Sequence, residues 1–281
     1  MKRYPILRVC WYLANIFLGV SLGLAVYSAG WEFSTRSYLK GFSDAIIPSS
    51  DDPEQKVEAI LTWMQRGPAR RTTPDPEALA TRNPEDTLNY QQLLQVCGTA
   101  TNAFVNLAQS SGLRARRLLL LDENRSSKHV VVEALIDNRW IIVDPVFHTI
   151  LRLPTGQPAT QEELRNPAVF QAVIHSIPNY PPSYNYDSTV HIRLSRIPLA
   201  GALLRRTFDF VWPSWEEAIN WTLLLERESF AVLTTSILLL CFAIALRSFL
   251  SWYSSRRLGI VRVRLRDQLT RAGEVLFSNP K

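Results

Sequence analysis

Two uncharged apolar runs constrain this chain before anything else does. Residues 9–31 contain no Asp, Glu, Lys or Arg over 23 positions, and residues 229–246 contain none over 18. Coiled as helices they would reach about 35 Å and about 27 Å, against a hydrocarbon core about 30 Å thick. Aromatic rings flank both: Trp11, Tyr12, Tyr27 and Trp31 around the first, and Trp212, Trp215, Trp221, Trp252 and Tyr253 around the second. Such amphipathic rings collect at the two membrane interfaces. The expectation is a two-pass membrane protein. A competing reading makes the first run a cleaved signal peptide, with Lys2, Arg3 and Arg8 before it and Ser28-Ala29-Gly30 as the cleavage site. The run is longer than the usual ~7–15 residue signal core, which favours a retained anchor. The competing reading for the second run is a buried core helix.

Charge orients the chain. The whole carries +6, but residues 1–31 and 229–281 hold 11 Lys+Arg against 2 Asp+Glu, whereas residues 32–228 hold 20 against 23. Basic flanks stay in the cytoplasm. The organisation expected is therefore a cytoplasmic N-terminus and first span (1–31), a central extracytoplasmic domain (32–213), a juxtamembrane helix (214–228), a second span (229–247) and a basic cytoplasmic tail (248–281). Arg256, Arg257, Arg262, Arg264 and Arg266 then serve as a topology signal and a contact for anionic lipid. With few aromatics for stacking and no base-reading motif, the tail gives no support to nucleic-acid binding. Both basic tails, and an outer segment without disulfides, suit a bacterial inner membrane with the central domain in the periplasm or outside the cell.

The central segment reads as one α+β unit. Residues 51–65 predict a helix that opens at Asp52-Pro53, with Val57, Ile60, Leu61 and Met64 at helical spacing. Residues 67–84 read as a Pro-, Arg- and Thr-rich loop, and Asn83-Pro84-Glu85-Asp86 as a second helix start. Residues 97–111 predict a helix ended by Gly112. Residues 116–121 predict a strand and 122–128 a polar loop. Thr160 and Glu163 form a capping box, residues 178–186 a Pro/Tyr-rich loop, and residues 214–228 a helix running on into the second span.

Residues 129–136 and 139–143 are β-branched runs separated by Asp137-Asn138, the length of a two-residue hairpin turn. That turn pairs residues whose numbers sum to 275, so Asp144 faces Val131. His129 then shares Val131's face and is the diagonal neighbour of Asp144, about 7–8 Å away. A loop one residue longer would put the two on opposite faces.

Cys97 is the single cysteine outside the spans, since Cys10 and Cys241 lie within them. It opens a predicted helix, where unpaired N–H groups and the helix dipole favour a thiolate. A neighbouring imidazole would lower its pKa further and act as base. Taken singly, Cys97 reads as a buried thiol and His129 as a structural histidine. Their ordered combination with Asp144 points to nucleophilic chemistry.

Residues 85–146 resemble the transglutaminase-like superfamily of cysteine enzymes. The resemblance is carried by Leu94-Gln95-Val96-Cys97-Gly98, by Ala103 and Leu107, by Ser111-Gly112-Leu113-Arg114-Ala115-Arg116, by His129-Val130-Val131-Val132-Glu133, and by Arg139-Trp140-Ile141-Ile142-Val143-Asp144-Pro145. It implies a papain-like fold with a cysteine-bearing helix packed on a small antiparallel sheet. It also implies Cys97 as nucleophile, His129 as general base and Asp144 as the orienting residue, acting on amide acyl groups as a peptidase, amidase or acyltransferase. The family often carries Gly where this chain has Val96, and Ala-Trp where it has Val130-Val131; both changes would reshape an acyl pocket. Some members are inactive, so a non-catalytic binding or assembly module at the membrane is the second reading. The substrates implied are a peptide, a protein or an amide-bearing cell-envelope polymer.

An oxyanion hole needs donors aimed at the tetrahedral oxygen. The Cys97 backbone N–H is the natural first. Gln91, Gln92 and the Trp63 indole are the side-chain candidates, Gln91 standing six residues before the cysteine as in papain-like proteases. His148, His175 and His191 lack metal-ligand spacing, so no metal is expected. No Gly-rich phosphate loop occurs, so no nucleotide or other cofactor is expected. Arg70-Arg71 and residues 114–117 read as solvated or ion-paired, with a contact for an acidic substrate or polymer as the rival reading. Tyr180, Tyr184 and Tyr186 read either as an ordinary loop or as the lining of a glycan or peptide groove. An oligomeric state is not legible.

Overall fold

The structure, a computed structural model, describes residues 5–49, 52–67, 83–124, 126–192, 201–213, 215 and 221–259, with the side chains of 201–205 excepted. The loop expected at 67–84, Arg70-Arg71, most of the expected 214–228 helix, and Arg262, Arg264 and Arg266 fall largely or wholly outside the described residues. The chain divides into two compact units, residues 29–233 and residues 1–28 with 234–281.

Among the described residues two helices are long and apolar enough to cross a membrane, and their outer parts make up the second of these units. They are α1 (Pro5–Ile46) and α9 (Glu228–Arg256). Both outrun the apolar stretches that define them: α1 continues through Glu32, Arg36, Lys40 and Asp44, because helical hydrogen bonding does not stop where hydropathy does. Large apolar side chains such as Ile16, Val20, Leu238 and Phe242 are exposed on them. Within that unit their buried positions are small: Ala14, Ser21 and Ser28 on one, at seven-residue intervals, and Ser236, Ala243 and Ser254 on the other. Small residues let helix backbones approach closely in lipid. Phe17 meets Phe242 edge-on at 6.2 Å. Cys10 and Cys241 are exposed on these helices.

The other unit is built around an antiparallel sheet. Its strands are β1 (Ala115–Leu121), β2 (Ser127–Ile136), β3 (Arg139–Asp144), β4 (Thr149–Ile150) and β5 (Thr189–Val190), in the order β4-β3-β2-β1-β5. Asp137 and Asn138 both take positive φ, 47° and 62°, as a two-residue type I′ turn requires. The register that results, from Ile136↔Arg139 to Val132↔Val143, is the one the loop length predicts. The polar loop before β2 is two residues shorter than expected, because Ser127 and Lys128 already belong to the strand. A bulge falls there: Leu120 pairs with His129 but Leu121 pairs with Ser127.

Helices cover both faces of the sheet. On one face lie α2 (Pro53–Arg66), α3 (Pro84–Asn89) and α4 (Cys97–Ser110), joined by a 3-10 turn at Gln91–Gln95. Asp52 caps α2 by accepting from the Glu54 N–H at 3.0 Å, and Asn83 caps α3 through the Glu85 N–H at 3.2 Å. Every residue from Ala100 to Ala108 is buried, so α4 is the central helix. It packs Ala103, Phe104 and Leu107 with Val57, Ile60, Val132, Ala134 and Val143. It ends in a Schellman turn, Leu113 N–H to Ala108 O at 2.9 Å and Gly112 N–H to Gln109 O at 3.2 Å, with Gly112 at φ +83°. On the opposite face α5 (Gln161–Leu164), opened by the Thr160–Glu163 capping box, and α6 (Pro167–Ile174) enclose Leu118, Leu120, Val131, Ile142 and Tyr186.

The segment before α9 departs from the expected continuous helix. After α7 (Gly201–Val211), a short α8 (Thr222–Glu226) stops at Arg227, whose backbone is extended at φ −130°, ψ 105°. The cause lies in the side chain. Arg227 is buried, its Nε donating to Asn106 Oδ1 at 2.9 Å and its Nη1 to Glu32 Oε1 at 3.2 Å. Glu226, Asn102, Thr87 and Ser229 extend this buried polar network, and Arg117 of β1 pairs with Glu226.

Candidate active site

Val96 precedes α4 and offers no side-chain oxygen to cap it. The first-turn N–H groups are thus left over for whatever lies at that end. Cys97 is the first residue of the helix, half-buried, with the apolar cluster Leu119, Leu121, Val130 and Val190 packed against it. The hydrogen bond from His129 is the main reason its thiol is held below the ordinary cysteine range. Burial opposes that shift, and the backbone N–H groups of Val130 and Gly98 add to it.

His129 stands at the start of β2, beside the bulge, 2% exposed. The extra residue is Lys128, so His129 keeps the regular register, opposite Leu120, that the hairpin turn sets. Its Nε2 lies 2.7 Å from Asp144 Oδ2. That leaves Nδ1 for the Cys97 sulfur and sets Nε2 as the N–H donor toward the carboxylate. Burial disfavours the imidazolium, yet the hydrogen bonds and charges of Asp144 and Cys97 outweigh it and raise the ring to about 9. The lowered thiol and the raised imidazole shift toward each other, the direction that favours a thiolate–imidazolium pair.

Asp144 is fully buried at the end of β3, and protein donors surround it. The N–H groups of Val146 and Phe147 donate to Oδ1 at 3.1 and 3.4 Å. Oδ2 receives the Tyr180 hydroxyl at 3.0 Å as well as the imidazole. Tyr184 stacks on the His129 ring, centroids 4.4 Å apart and planes 11° apart, and Phe147 meets the ring edge-on at 6.2 Å. The three tyrosines lie in a loop, as one sequence reading has it, but Tyr180 and Tyr186 are buried behind the carboxylate and line no open groove. Sequence reasoning had no means to place them: 36 residues separate Tyr180 from Asp144, and no periodicity connects them.

Of the candidates read from sequence, the structure brings Cys97, His129 and Asp144 into one hydrogen-bonded chain. Gln91 and Gln92 have exposed side chains on the 3-10 turn. Trp63 lies in the main core, edge-on to Phe42 at 4.9 Å. His191 binds Glu133 through Nε2 at 2.8 Å, and Arg116 joins the same carboxylate at 2.7 Å while lying over the Trp140 ring. Both partners hold Glu133 below the usual carboxylate range against the opposing effect of burial. Among the described residues no group of three or more His, Cys, Asp or Glu could hold a metal ion.

Residues 40–145 match the model of the transglutaminase-like superfamily. This segment is a transglutaminase-like domain. The match takes in α2, α3, α4, β1, β2 and β3 and ends one residue beyond Asp144. Tyr180 and Tyr184, which touch the site, lie past the end of the transglutaminase-like match. Comparison with curated proteins and with solved structures finds no match to the chain.

Proposed function

We propose that the chain is a membrane-anchored thiol hydrolase or acyltransferase acting on amide bonds outside the cytoplasm. The observation that carries this reading is the Cys97–His129–Asp144 chain at the uncapped N-terminus of α4, inside a transglutaminase-like domain. The Cys97 thiolate attacks the acyl carbon and forms the S–C bond. The carbonyl electron pair moves onto oxygen, where the Cys97 backbone N–H is the first donor. The imidazolium returns its proton to the nitrogen as the C–N bond breaks, and the amine leaves. Neutral His129 then takes a proton from water, whose oxygen attacks the thioester, and the thiol leaves with the acid as product. An amine in place of water gives transfer. Asp144 keeps Nε2 protonated through both steps.

The anchors in this proposal are α1 and α9, with both termini cytoplasmic on the strength of the basic flanks. The substrate is a peptide, a protein or an amide-bearing polymer of a bacterial cell envelope. The test is the rate of Cys97 alkylation by iodoacetamide against pH in the full-length protein, read on the Cys97 peptide by mass spectrometry, for wild type and His129→Ala. The expected wild-type profile rises well below the ordinary thiol value of about 8.5, with a second limb near 9. His129→Ala should show one ordinary limb. A wild-type profile already ordinary and indifferent to His129 would overturn the enzyme reading and leave a binding or assembly module.

A further inference from the structure

We propose that Tyr180 is a positioning residue that shares Asp144 Oδ2 with His129 and tempers the carboxylate's hold on the imidazole, so that chain beyond the family match completes the site. This rests on the thiol-enzyme reading above. A fully buried carboxylate must find donors for both oxygens within the protein. The Val146 and Phe147 N–H groups hold Oδ1, and they come from the turn that follows Asp144 itself. Oδ2 is the oxygen that faces the imidazole, and its other donor is the Tyr180 hydroxyl. Rotation of the carboxylate would move both oxygens, so the two N–H groups already oppose it, and what the Tyr180 hydroxyl adds is a second claim on the oxygen that faces the imidazole.

Tyr180 is built for this position. It is 6% exposed, with Phe147 at 4.6 Å, Phe170 of α6 at 6.2 Å and Tyr184 at 5.7 Å, and its hydroxyl lies 3.4 Å from that of Tyr186. Burial, then Tyr186 and Asp144, raise its pKa, so it remains a protonated donor. The titratable groups that face His129 are Cys97 from α4, Asp144 from β3, and Tyr180 and Tyr184 from the 178–186 segment; Tyr186 stands behind Tyr180, and Glu133, with His191 and Arg116, lies further along β2. Tyr180 is the one of these that shares an oxygen with the imidazole.

The consequence is specific. A hydroxyl on Oδ2 draws off part of the charge that stabilises the imidazolium. In Tyr180→Phe, which keeps the ring and its packing, the carboxylate should hold the imidazolium more tightly. The upper limb of the Cys97 alkylation profile should then move up by about half to one pH unit, the worth of one ordinary hydrogen bond. The lower limb, set by the thiol against a ring that stays charged, should not move. Tyr186→Phe should shift the upper limb less.

The measurement uses full-length protein and the Cys97 peptide, with circular dichroism to establish folding. An upper limb that coincides with wild type in folded Tyr180→Phe overturns the proposal. If Tyr180→Phe does not fold, 3-fluorotyrosine incorporation decides instead. The more acidic phenol is a stronger donor and should move the upper limb down, and no movement overturns the proposal. The two readings fail distinguishably: a wild type without a His129-dependent limb removes the enzyme reading and this one with it, whereas an unmoved limb in the Tyr180 variants removes this one alone.

Discussion

At position 129 burial and hydrogen bonding act in opposite directions, and the second prevails. The folded value of about 9 lies above the unfolded value near 6.5. The ring's contribution to stability is therefore whole below about 6.5 and is lost as pH rises through about 9. We expect the melting temperature of the wild type to fall over that interval and that of His129→Gln to fall less, as calorimetry at several pH values would show. Asp144→Asn keeps the shape but removes the charge that holds Nε2 protonated. Hydrolysis of a responsive amide should drop by roughly 10³–10⁴-fold, while Cys97 stays in place. Equal turnover in the variant would remove Asp144 from the mechanism. Cys97, His129 and Asp144 were legible in sequence because each sits at a structural punctuation: a helix start, a strand start and a strand end. Tyr180 was not, since its role depends on a distant loop folding back over the sheet.

Among the elements, α4 shows most plainly how local sequence serves the site. Its N-terminus lacks a capping side chain where Cys97 needs free N–H groups, whereas α2, α3 and α5 are all capped. Its other end uses Gly112 at φ +83°, with nothing within 4 Å of where a Cβ would stand. Gly112→Ala should therefore cost about 1 kcal/mol through backbone conformation alone, without a clash, measurable by urea denaturation. The same reasoning applies to the hairpin, where Asn138 holds φ 62°. Asn138→Gly should stabilise the domain by about 0.5 kcal/mol, since Gly suits that position of a type I′ turn better; a loss of stability would mean the Asn138 side chain makes a contact of its own. These turns were readable because two or three adjacent residues determine them. The bulge at Lys128 was not, because it results from how β1 and β2 meet.

At the scale of the molecule, the polar network of residues 29–233 links segments far apart in the chain. Glu32, Asn102, Asn106, Glu226 and Arg227 are all buried, and their hydrogen bonds span up to 195 residues. Removing one partner of such a pair leaves the other charge buried and unpaired. Arg227→Met should cost about 3 kcal/mol or more. Adding Glu32→Met should recover part of the loss, a coupling that a double-mutant cycle measures. Additive losses would show that the pair is not a unit.

What the sequence determined by itself was whatever short range controls. Two apolar runs specified two long helices, caps and glycines specified where shorter helices begin and end, and a two-residue turn fixed the parity that puts His129 and Asp144 on one face. The tertiary structure alone decided the rest: that Arg227 interrupts the helix leading into α9, that Trp63 belongs to the core, and that Tyr180 and Tyr184 close over the carboxylate and the imidazole. The physical reason is that caps, turns and periodicity act between neighbours in the chain, whereas a buried charge takes its partners from any segment that packing brings within 3 Å or so.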